Sequence, residues 1–527
     1  MSRIVVIGGG IGGLASAALL ARQGHEVTLV EARSTLGGRA GSWEKNGFRW
    51  DTGPSWYLMP EVFDHFYRLL GTSSAEQLRL VTLDPGYRVY FEGERRPIDI
   101  SAERSENIEL FERIRKGSGN RLDRYLQSAA LTYDLAKRYF LYTSFQSIRP
   151  LFNREVLSHL PKLLGLLLRP LSSLAARTVK DERLRKILGY PAVFLGASPY
   201  TAPSMYHLMS HLDLADGVLY PIGGFARVIE SIEDLAVAEG VTILRSAPVT
   251  RILVENGAVT GVAYTTARGK SATIEADIVV SGADLHHTET TLLEPAQQTY
   301  PQGYWDKATA GPGALLLYLG VRGDLPQLEH HTLLFAKDWR AGFDAIFGAD
   351  PHVPTPVSLY ICKPSGVDAA VAPDGSENLF VLVPIPADPS IGKGGVDRKG
   401  DVNVEAMADA VIEQIASWTG IEDLASRITV RRTVAPGDFV ADLNAWRGTA
   451  LGPAHVLSQS AMFRAHNVSK KVRGLYFVGG STTPGVGLPM CLISAETVLK
   501  RINGDVSTGP LPEPLARTVT ERNPTTR

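Results

Sequence analysis

Residues 3–40 read RIVVIGGGIGGLASAALLARQGHEVTLVEARSTLGGRA, and this stretch decides the fold. An apolar run at 3–7 predicts a buried parallel strand, residues 11–23 have helical spacing, and EVTLVEA at 26–32 predicts a second strand. Gly8, Gly10 and Gly13 form a GxGxxG pattern at the turn between the first strand and the helix. Such a turn lets backbone amides and a helix N-terminus approach a pyrophosphate without obstruction by side chains. The sequence therefore predicts an α/β fold that begins with a dinucleotide-binding βαβ unit.

The residues that follow narrow the choice of dinucleotide. Glu31 ends the second strand about twenty residues after the glycines, where a carboxylate can accept hydrogen bonds from ribose hydroxyls. Its charge disfavours a bound 2′-phosphate, for which Arg33 would compensate only partly, so NAD and FAD both remain. Gly37 and Gly38 then permit a tight backbone that places Arg39 to meet a second phosphate or a flavin edge. The competing interpretations are a surface glutamate and a solvated loop cation.

The whole stretch resembles the extended signature of the amine-oxidase-like flavoproteins, in which the GGR motif contacts FAD. The resemblance continues in LYPIGGFARVIESIEDLAVAEGVTILRSAPVTRI at 219–252 and ends in GLYFVGGSTTPGVGLPMCLISAE at 474–496. Over nearly the whole chain it is most similar to the bacterial carotenoid desaturases, which include the phytoene desaturases. The implied fold is a Rossmann-type FAD-binding domain, as in amine oxidases and GDP-dissociation inhibitors, joined to a mixed α+β substrate domain and a helical membrane-facing lobe. The resemblance implies eleven FAD-binding residues: Gly8, Gly10, Ile11, Gly12, Gly13, Glu31, Gly38, Arg39, Val249, Gly480 and Leu488.

Two departures from the family pattern concern acid–base chemistry. Family members often carry a histidine before the proline of the last block, whereas this chain reads Thr-Thr-Pro at 482–484. The family also has charged residues near the start of the helical lobe for which an acid–base role is proposed. Arg154 and Glu155 are the nearest match here and are our predicted catalytic pair, although Ser158 stands where the pattern has a second arginine. A salt bridge on a helix surface is the competing interpretation.

At 527 residues the chain is too long for one compact core, so several lobes are expected. We predict a discontinuous FAD-binding domain from residues 1–85, 215–290 and 470–505, a substrate-binding domain from 86–100 and 291–469, a helical lobe from 101–214, and a disordered tail at 506–527.

Composition and cysteine usage exclude several classes of function. Hydrophobic residues make up 44% and charged residues 21% of the chain, and its net charge is -1, so no basic excess recruits nucleic acid. Cys362 and Cys491 are far apart and lack metal-ligand spacing. The pairs His286–His287 and His330–His331 are interpreted as solvated or cap-forming residues. We therefore expect no disulfide and no metal site.

The middle of the chain carries a candidate membrane contact. Leucines recur there at helical spacing with cations beside them, namely Leu160, Leu163, Leu164, Leu167, Leu171 and Leu174 with Lys162, Arg169, Arg177 and Lys180. This pattern predicts a basic amphipathic patch on a membrane surface, with a buried helical core as the alternative. The sequence has no apolar run of about 18 residues, so it predicts no membrane span. The expected location is cytoplasmic, with peripheral attachment to the inner face of the cell membrane.

The resemblance implies an FAD-dependent oxidoreductase acting on CH–CH groups. The reaction it implies is the conversion of phytoene to lycopene through successive hydride and proton removals, with the polyene taken from the bilayer and quinone or oxygen as electron acceptor. Within the same fold, alternatives are a later-step, C30 or 3,4-carotenoid desaturase, a carotenoid isomerase and an amine oxidase. A noncatalytic prenyl-lipid carrier like the GDP-dissociation inhibitors is the alternative from a different class.

Overall fold

A computed structural model describes residues 1–147 and 153–517. The strands in chain order are β1 (Arg3–Ile7), β2 (Glu26–Val30), β3 (Ser42–Lys45), β4 (Phe48–Asp51), β5 (Leu80–Leu83), β6 (Tyr87–Phe91), β7 (Ile98–Ile100), β8 (Val218–Pro221), β9 (Thr242–Leu244), β10 (Val249–Glu255), β11 (Ala258–Thr265), β12 (Ser271–Glu275), β13 (Ile278–Ser281), β14 (Gly313–Arg322), β15 (His331–Phe335), β16 (Leu359–Cys362), β17 (Ser376–Ile385), β18 (Ile428–Val434) and β19 (Leu475–Phe477). The α-helices are α1 (Ile11–Arg22), α2 (Pro60–Leu69), α3 (Ser74–Gln77), α4 (Arg104–Ile114), α5 (Gly119–Ala136), α6 (Arg154–Leu167), α7 (Leu171–Thr178), α8 (Glu182–Gly189), α9 (Pro191–Phe194), α10 (Met209–Leu214), α11 (Gly224–Ala238), α12 (Leu285–Thr291), α13 (Gln302–Trp305), α14 (Trp339–Phe347), α15 (Val402–Thr419), α16 (Leu424–Arg427), α17 (Pro436–Leu443) and α18 (Leu488–Asn503).

A parallel sheet of five strands, in the order β19-β13-β1-β2-β9, carries the predicted βαβ unit. β1, α1 and β2 confirm the strand–helix–strand reading of the opening sequence. Strands buried on both faces need apolar side chains on both, which explains the unbroken run IVVI in β1. All five strands come from the three segments predicted to form the FAD-binding domain, while the domain boundaries themselves stay predictions.

A second, mixed sheet has seven strands in the order β18-β14-β17-β16-β15-β6-β7. Its centre is the antiparallel pair β14–β17, whose register runs from Gly313 opposite Ile385 to Arg322 opposite Ser376. Hydrophobic clusters cover both faces of this sheet. β6 and β7 come from residues 86–100 and the other strands from 291–469, the two segments predicted to form the substrate domain.

The described part of the predicted helical lobe, residues 101–147 and 153–214, contains helices α4 to α10 and no strand. On α6, Leu157, Leu160 and Leu164 are exposed and follow one another at helical spacing, while Leu171 at the start of α7 is fully buried. Of the predicted leucine patch, Leu160 and Leu164 are therefore exposed and Leu171 packs in the core, while Leu163, Leu167 and Leu174 are half-buried. Among the described residues, no helix has the length and hydropathy needed to cross a membrane.

The expectation of a disordered tail is wrong for residues 506–517, which pack against segments predicted to form the FAD-binding domain. The Leu515 side chain is buried and its backbone N–H donates to the Leu69 carbonyl at 3.0 Å. The Leu511 N–H donates to Glu496, whose other oxygen lies 2.9 Å from Nε2 of His65. One buried leucine and a charged network thus order a segment whose composition is polar. The remaining tail residues, 518–527, lie outside the described residues.

Candidate active site

The turn between β1 and α1 forms the floor of a cavity of about 1020 Å³. Gly8 has a φ of +89°, and a Cβ at Gly13 would lie only 2.0 Å from the Gly8 carbonyl oxygen. A Cβ at Gly10 would instead meet no protein atom within 4 Å, because this residue faces the cavity. The bare backbone therefore offers its amides and the N-terminus of α1 to a ligand phosphate.

Glu31 is held beside this turn by two backbone amides. The Gly9 N–H donates to its Oε2 at 2.6 Å and the Arg33 N–H donates to its Oε1 at 2.8 Å. The carboxylate is buried within the protein but lines the cavity. Each of its oxygens keeps a second lone pair, so the group can also accept hydrogen bonds from ribose hydroxyls.

The surroundings of Arg39 indicate that the residues of this site fit FAD. We call the Gly8–Gly13 turn and Glu31 the cradle. A Cβ added at Gly38 would lie 3.2 Å from the Gly10 Cα, so Gly38 packs against the cradle and places Arg39 at its edge. Nε and Nη2 of Arg39 are buried and find no hydrogen-bond partner among the described residues. A buried guanidinium that lacks partners is costly unless a bound anion or polar ring edge satisfies it. The donor set therefore fits the phosphates or flavin edge of FAD.

The other predicted cofactor residues converge on the same cavity from distant parts of the chain. Val249 begins β10, Gly480 lies in the loop after β19, and Leu488 is the first residue of α18. All eleven predicted FAD-binding residues line this one cavity. Their contacts with FAD stay predictions.

Away from the glycines, the cavity becomes an apolar passage. Leu333 and Phe335 of β15 and Trp339 and Phe343 of α14 are buried residues of its wall. At its mouth, the cavity is lined by residues of α6 and by residues of the loop that contains Met462 and Phe463. The residues there that both line the cavity and are exposed are Leu157, Leu160, Leu164, Met462 and Phe463. The passage thus joins the cradle to an apolar surface.

Arg154 and Glu155, the predicted catalytic pair, are not among the residues that line the cavity, although Val156 and Leu157 are. The Glu155 carboxylate accepts hydrogen bonds from Arg138 at 2.7 and 3.0 Å and from the Tyr139 hydroxyl at 2.6 Å. The Tyr139 and Arg138 hydrogen bonds hold the pKa of Glu155 below its ordinary value. The geometry favours the salt bridge on a helix surface and gives the proton-acceptor role no support.

The interpretation of His330 and His331 as solvated residues is wrong, because both rings are buried. Burial lowers the pKa of His330 to about 3 and that of His331 well below its ordinary value, so both rings are neutral at pH 7. Cys362 lies opposite His331 in the β15–β16 pair, and the donor atoms of these three residues lie within 4.8 Å of one another. The absence of a metal site stays a prediction.

A hydrogen-bonded chain connects His331 to the cavity. Ser55 and Tyr360 line the cavity, and their hydroxyl oxygens lie 2.7 Å apart. The Tyr360 hydroxyl also lies 2.7 Å from Nδ1 of His331, and Trp56 stacks on that imidazole at 4.3 Å between ring centroids. Sequence reasoning missed this chain, since Ser55 stands 305 positions before Tyr360 and the three residues match no local motif.

Comparison with known proteins identifies the class of protein that this fold and site define. The model of the family described as flavin containing amine oxidoreductase matches residues 11–503. The chain therefore belongs to the flavin-containing amine oxidoreductases and is an FAD-dependent oxidoreductase.

Similarity to curated proteins narrows the identification. A carotenoid 3,4-desaturase of Haloarcula japonica is 40% identical over 96% of this chain and 98% of its own length. A zeta-carotene-forming phytoene desaturase of Myxococcus xanthus is 34% identical over 95% of this chain and 93% of its own length. Within the family, the chain groups with the carotenoid desaturases. The structure of cyclohexylamine oxidase from Brevibacterium oxydans is 16% identical with a TM-score of 0.58, covers 96% of this chain and 99% of its own, and shares the fold.

Proposed function

We propose that the protein is a carotenoid desaturase that converts phytoene toward lycopene by successive removals of a hydride and a proton. The observation that carries this proposal is the continuity of one cavity from the glycine cradle to an apolar passage and an apolar mouth. A polyene offers no polar group for recognition, so its orientation depends on an apolar passage that excludes water. A noncatalytic lipid carrier would not need the glycine cradle, nor a buried Arg39 whose Nε and Nη2 lack partners among the described residues.

We propose the following roles for the cradle residues. The glycine turn and Arg39 would bind the phosphates of FAD, and Glu31 would accept hydrogen bonds from its ribose. The N-terminus of α18 at Leu488 would place a positive dipole beside the flavin pyrimidine. When bound, FAD supplies a two-electron acceptor for the hydride of an allylic carbon.

We further propose that the protein attaches peripherally to the inner face of the cell membrane through α6. The leucines at the mouth would enter the bilayer, so that a polyene could pass from lipid into the passage without crossing water. Lys162 and Arg169 flank them and suit anionic headgroups. A quinone from the same bilayer or dissolved oxygen would reoxidise the flavin.

The α6 leucines provide a test of membrane attachment. We expect the double variant Leu157→Glu/Leu164→Glu to lose vesicle binding about 100-fold or more, because burying one leucine contributes about 1.5–3 kcal/mol. Co-sedimentation with vesicles containing anionic lipid measures the change. Val237→Glu is the control, since Val237 is an apolar residue on α11 that is 55% exposed, against 48% for Leu157 and 45% for Leu164. Equal vesicle binding by the double variant and the control would contradict the proposal.

A second candidate is 3,4-desaturation of a carotenoid that is already conjugated. It is favoured by the higher identity to the 3,4-desaturase, 40% against 34% for the phytoene desaturase of Myxococcus. The two reactions use the same chemistry and differ in the length of conjugated chain that must enter the passage.

Paired substrates distinguish the two candidates. FAD-loaded protein is incubated anaerobically with a quinone and liposomes that contain either phytoene or lycopene, and visible absorbance is followed. We expect new long-wavelength polyene bands from phytoene, whose number reports the desaturation steps. A red shift with lycopene alone would favour 3,4-desaturation. No new band from either substrate, with flavin bound, would contradict both.

A further inference from the structure

We propose that Tyr360 takes the proton that leaves the substrate during desaturation and passes its own proton to His331. The inference rests on the proposed desaturase function and assigns the proton acceptor that Arg154 and Glu155 do not supply. Tyr360 is the group that meets the substrate, Ser55 orients it, and His331 is the positioning residue behind it.

The hydrogen-bonded chain has the geometry of a proton relay. Its two links, Ser55 Oγ to Tyr360 Oη and Tyr360 Oη to His331 Nδ1, are both 2.7 Å, well within the range for O–H donors. Ser55 and Tyr360 line the cavity, while the imidazole of His331 is fully buried behind them. Trp56 lies nearly parallel to the imidazole, with 7° between the ring planes, and fixes its orientation. The relay therefore leads inward from the substrate wall.

The segment that leads into Ser55 packs against Arg39 at the edge of the cradle. A Cβ at Gly53 would lie 2.3 Å from the Arg39 carbonyl, so the segment that leads into Ser55 is packed directly on the cradle. A substrate carbon that loses hydride must lie beside the flavin, and the carbon that loses a proton is its neighbour. Ser55 therefore follows a segment that packs on the cradle, and Tyr360 is joined to that segment through the Ser55 hydroxyl.

The charge state of His331 suits a proton acceptor. Burial lowers its pKa well below the ordinary value, so at neutral pH the ring is uncharged. With its proton on Nε2, which has no partner among the described residues, Nδ1 accepts from the Tyr360 hydroxyl. A C–H bond next to an allylic cation is a much stronger acid than an imidazolium. Even a weakly basic imidazole can therefore receive its proton.

The step balances as follows. Bound FAD would supply the two-electron acceptor for the hydrogen that leaves an allylic carbon with both electrons of its C–H bond. The neighbouring C–H bond then breaks, and its electron pair forms the new C=C bond. Its proton goes to the Tyr360 oxygen as the Tyr360 proton moves to His331. The imidazolium would give this proton back through Tyr360 when the flavin is reoxidised: the quinone or oxygen takes the two electrons and the hydrogen held by the reduced flavin together with this proton, and leaves as quinol or hydrogen peroxide.

Single-turnover kinetics test the relay. We expect Tyr360→Phe to slow anaerobic reduction of the bound flavin by the accepted carotenoid about 100-fold, the lower range for general acid–base catalysis. Flavin content, visible spectrum and melting temperature should be retained. The unchanged protein should reduce its flavin more slowly in D2O, because the Tyr360 proton moves in the step, and the variant should lose this solvent isotope effect. His331→Gln should show the same two changes.

The control is Tyr90→Phe, which removes a buried hydroxyl from β6 of the same sheet. That hydroxyl donates to the Gln327 carbonyl at 2.8 Å and lies away from the cavity. Tyr90→Phe should keep both the rate and the isotope effect. If Tyr360→Phe behaves like Tyr90→Phe, the relay is overturned and the desaturase function stands. If no carotenoid reduces the flavin of the unchanged protein, the desaturase function fails and the relay fails with it.

Discussion

The Gly13→Ala variant is expected to be isolated without FAD and to unfold at a lower temperature than the unchanged protein. The added Cβ would lie 2.0 Å from the Gly8 carbonyl oxygen, and neither backbone can yield without moving α1 away from β1. Overpacking of this kind costs about 1–3 kcal/mol, occasionally more. The variant would also lose the stability that bound FAD adds by mass action. Flavin absorbance of the purified protein and thermal unfolding with and without added FAD measure the two effects.

Two other glycines separate loss of the cofactor from loss of the fold. Gly10→Ala places its Cβ in the cavity and meets no protein atom within 4 Å, so the apoprotein should keep its melting temperature while FAD affinity falls at least tenfold. Gly303→Ala, in α13, also meets no atom within 4 Å and should keep both properties. FAD retained at full occupancy by Gly13→Ala and Gly10→Ala would show that the cofactor binds elsewhere.

The cradle was predictable because its pattern is local. Gly8, Gly13 and Glu31 belong to one βαβ unit of about thirty residues, and both the turn geometry and the strand–helix packing depend on near neighbours. Val249 and Gly480 lie far along the chain and were assigned only from the family resemblance. The structure brings both to the same cavity.

The buried relay and the ordered tail were not predictable, because each depends on contacts between distant segments. His331 and Tyr360 become neighbours through the β15–β16 pairing, and Ser55 reaches them from a turn about three hundred residues earlier. A histidine pair in a polar stretch carries no local sign of burial. Leu515 is similarly buried only because the chain returns to Leu69, which a composition argument cannot foresee.

Arg464 is a second position where sequence alone gave no signal and where a large effect is expected. The residue is 2% exposed, and its guanidinium donates to the carbonyls of Gly480 at 2.6 Å, Gln459 at 3.0 Å, and Thr482 and Pro453 at 3.2 Å each. Within the part of the chain that the structure describes, the ionisable groups that act on it are Tyr206, Tyr304 and Cys491, and no carboxylate is among them. Burial lowers the pKa of Arg464 to about 10, so it stays charged at neutral pH. An uncompensated cation therefore holds the loop that lines the cradle.

We expect Arg464→Met to weaken FAD binding about 100-fold and to lower the midpoint potential of the flavin that remains bound. The four carbonyls lose their donor, which costs about 1–3 kcal/mol for each group left buried and unpaired, so the loop should loosen. The lost positive charge stabilised the negative charge that develops on reduction, and about 1.4 kcal/mol of that stabilisation corresponds to about 30 mV for a two-electron couple. Titration with FAD and a reductive titration measure the two effects.

Arg501→Met controls for the structural part of the Arg464 effect. Arg501 is a partly buried arginine that donates to the Ser144 carbonyl from the last turn of α18, the end of the helix opposite Leu488. Its loss should lower stability yet leave the potential unchanged, since the charge lies a helix length from the cradle. A potential that falls equally in both variants would mean that losing an arginine anywhere in this part of the fold tunes the flavin. A fall confined to Arg464→Met would mean that the effect depends on the loop at Gly480 and Thr482, which Arg464 holds and Arg501 does not contact.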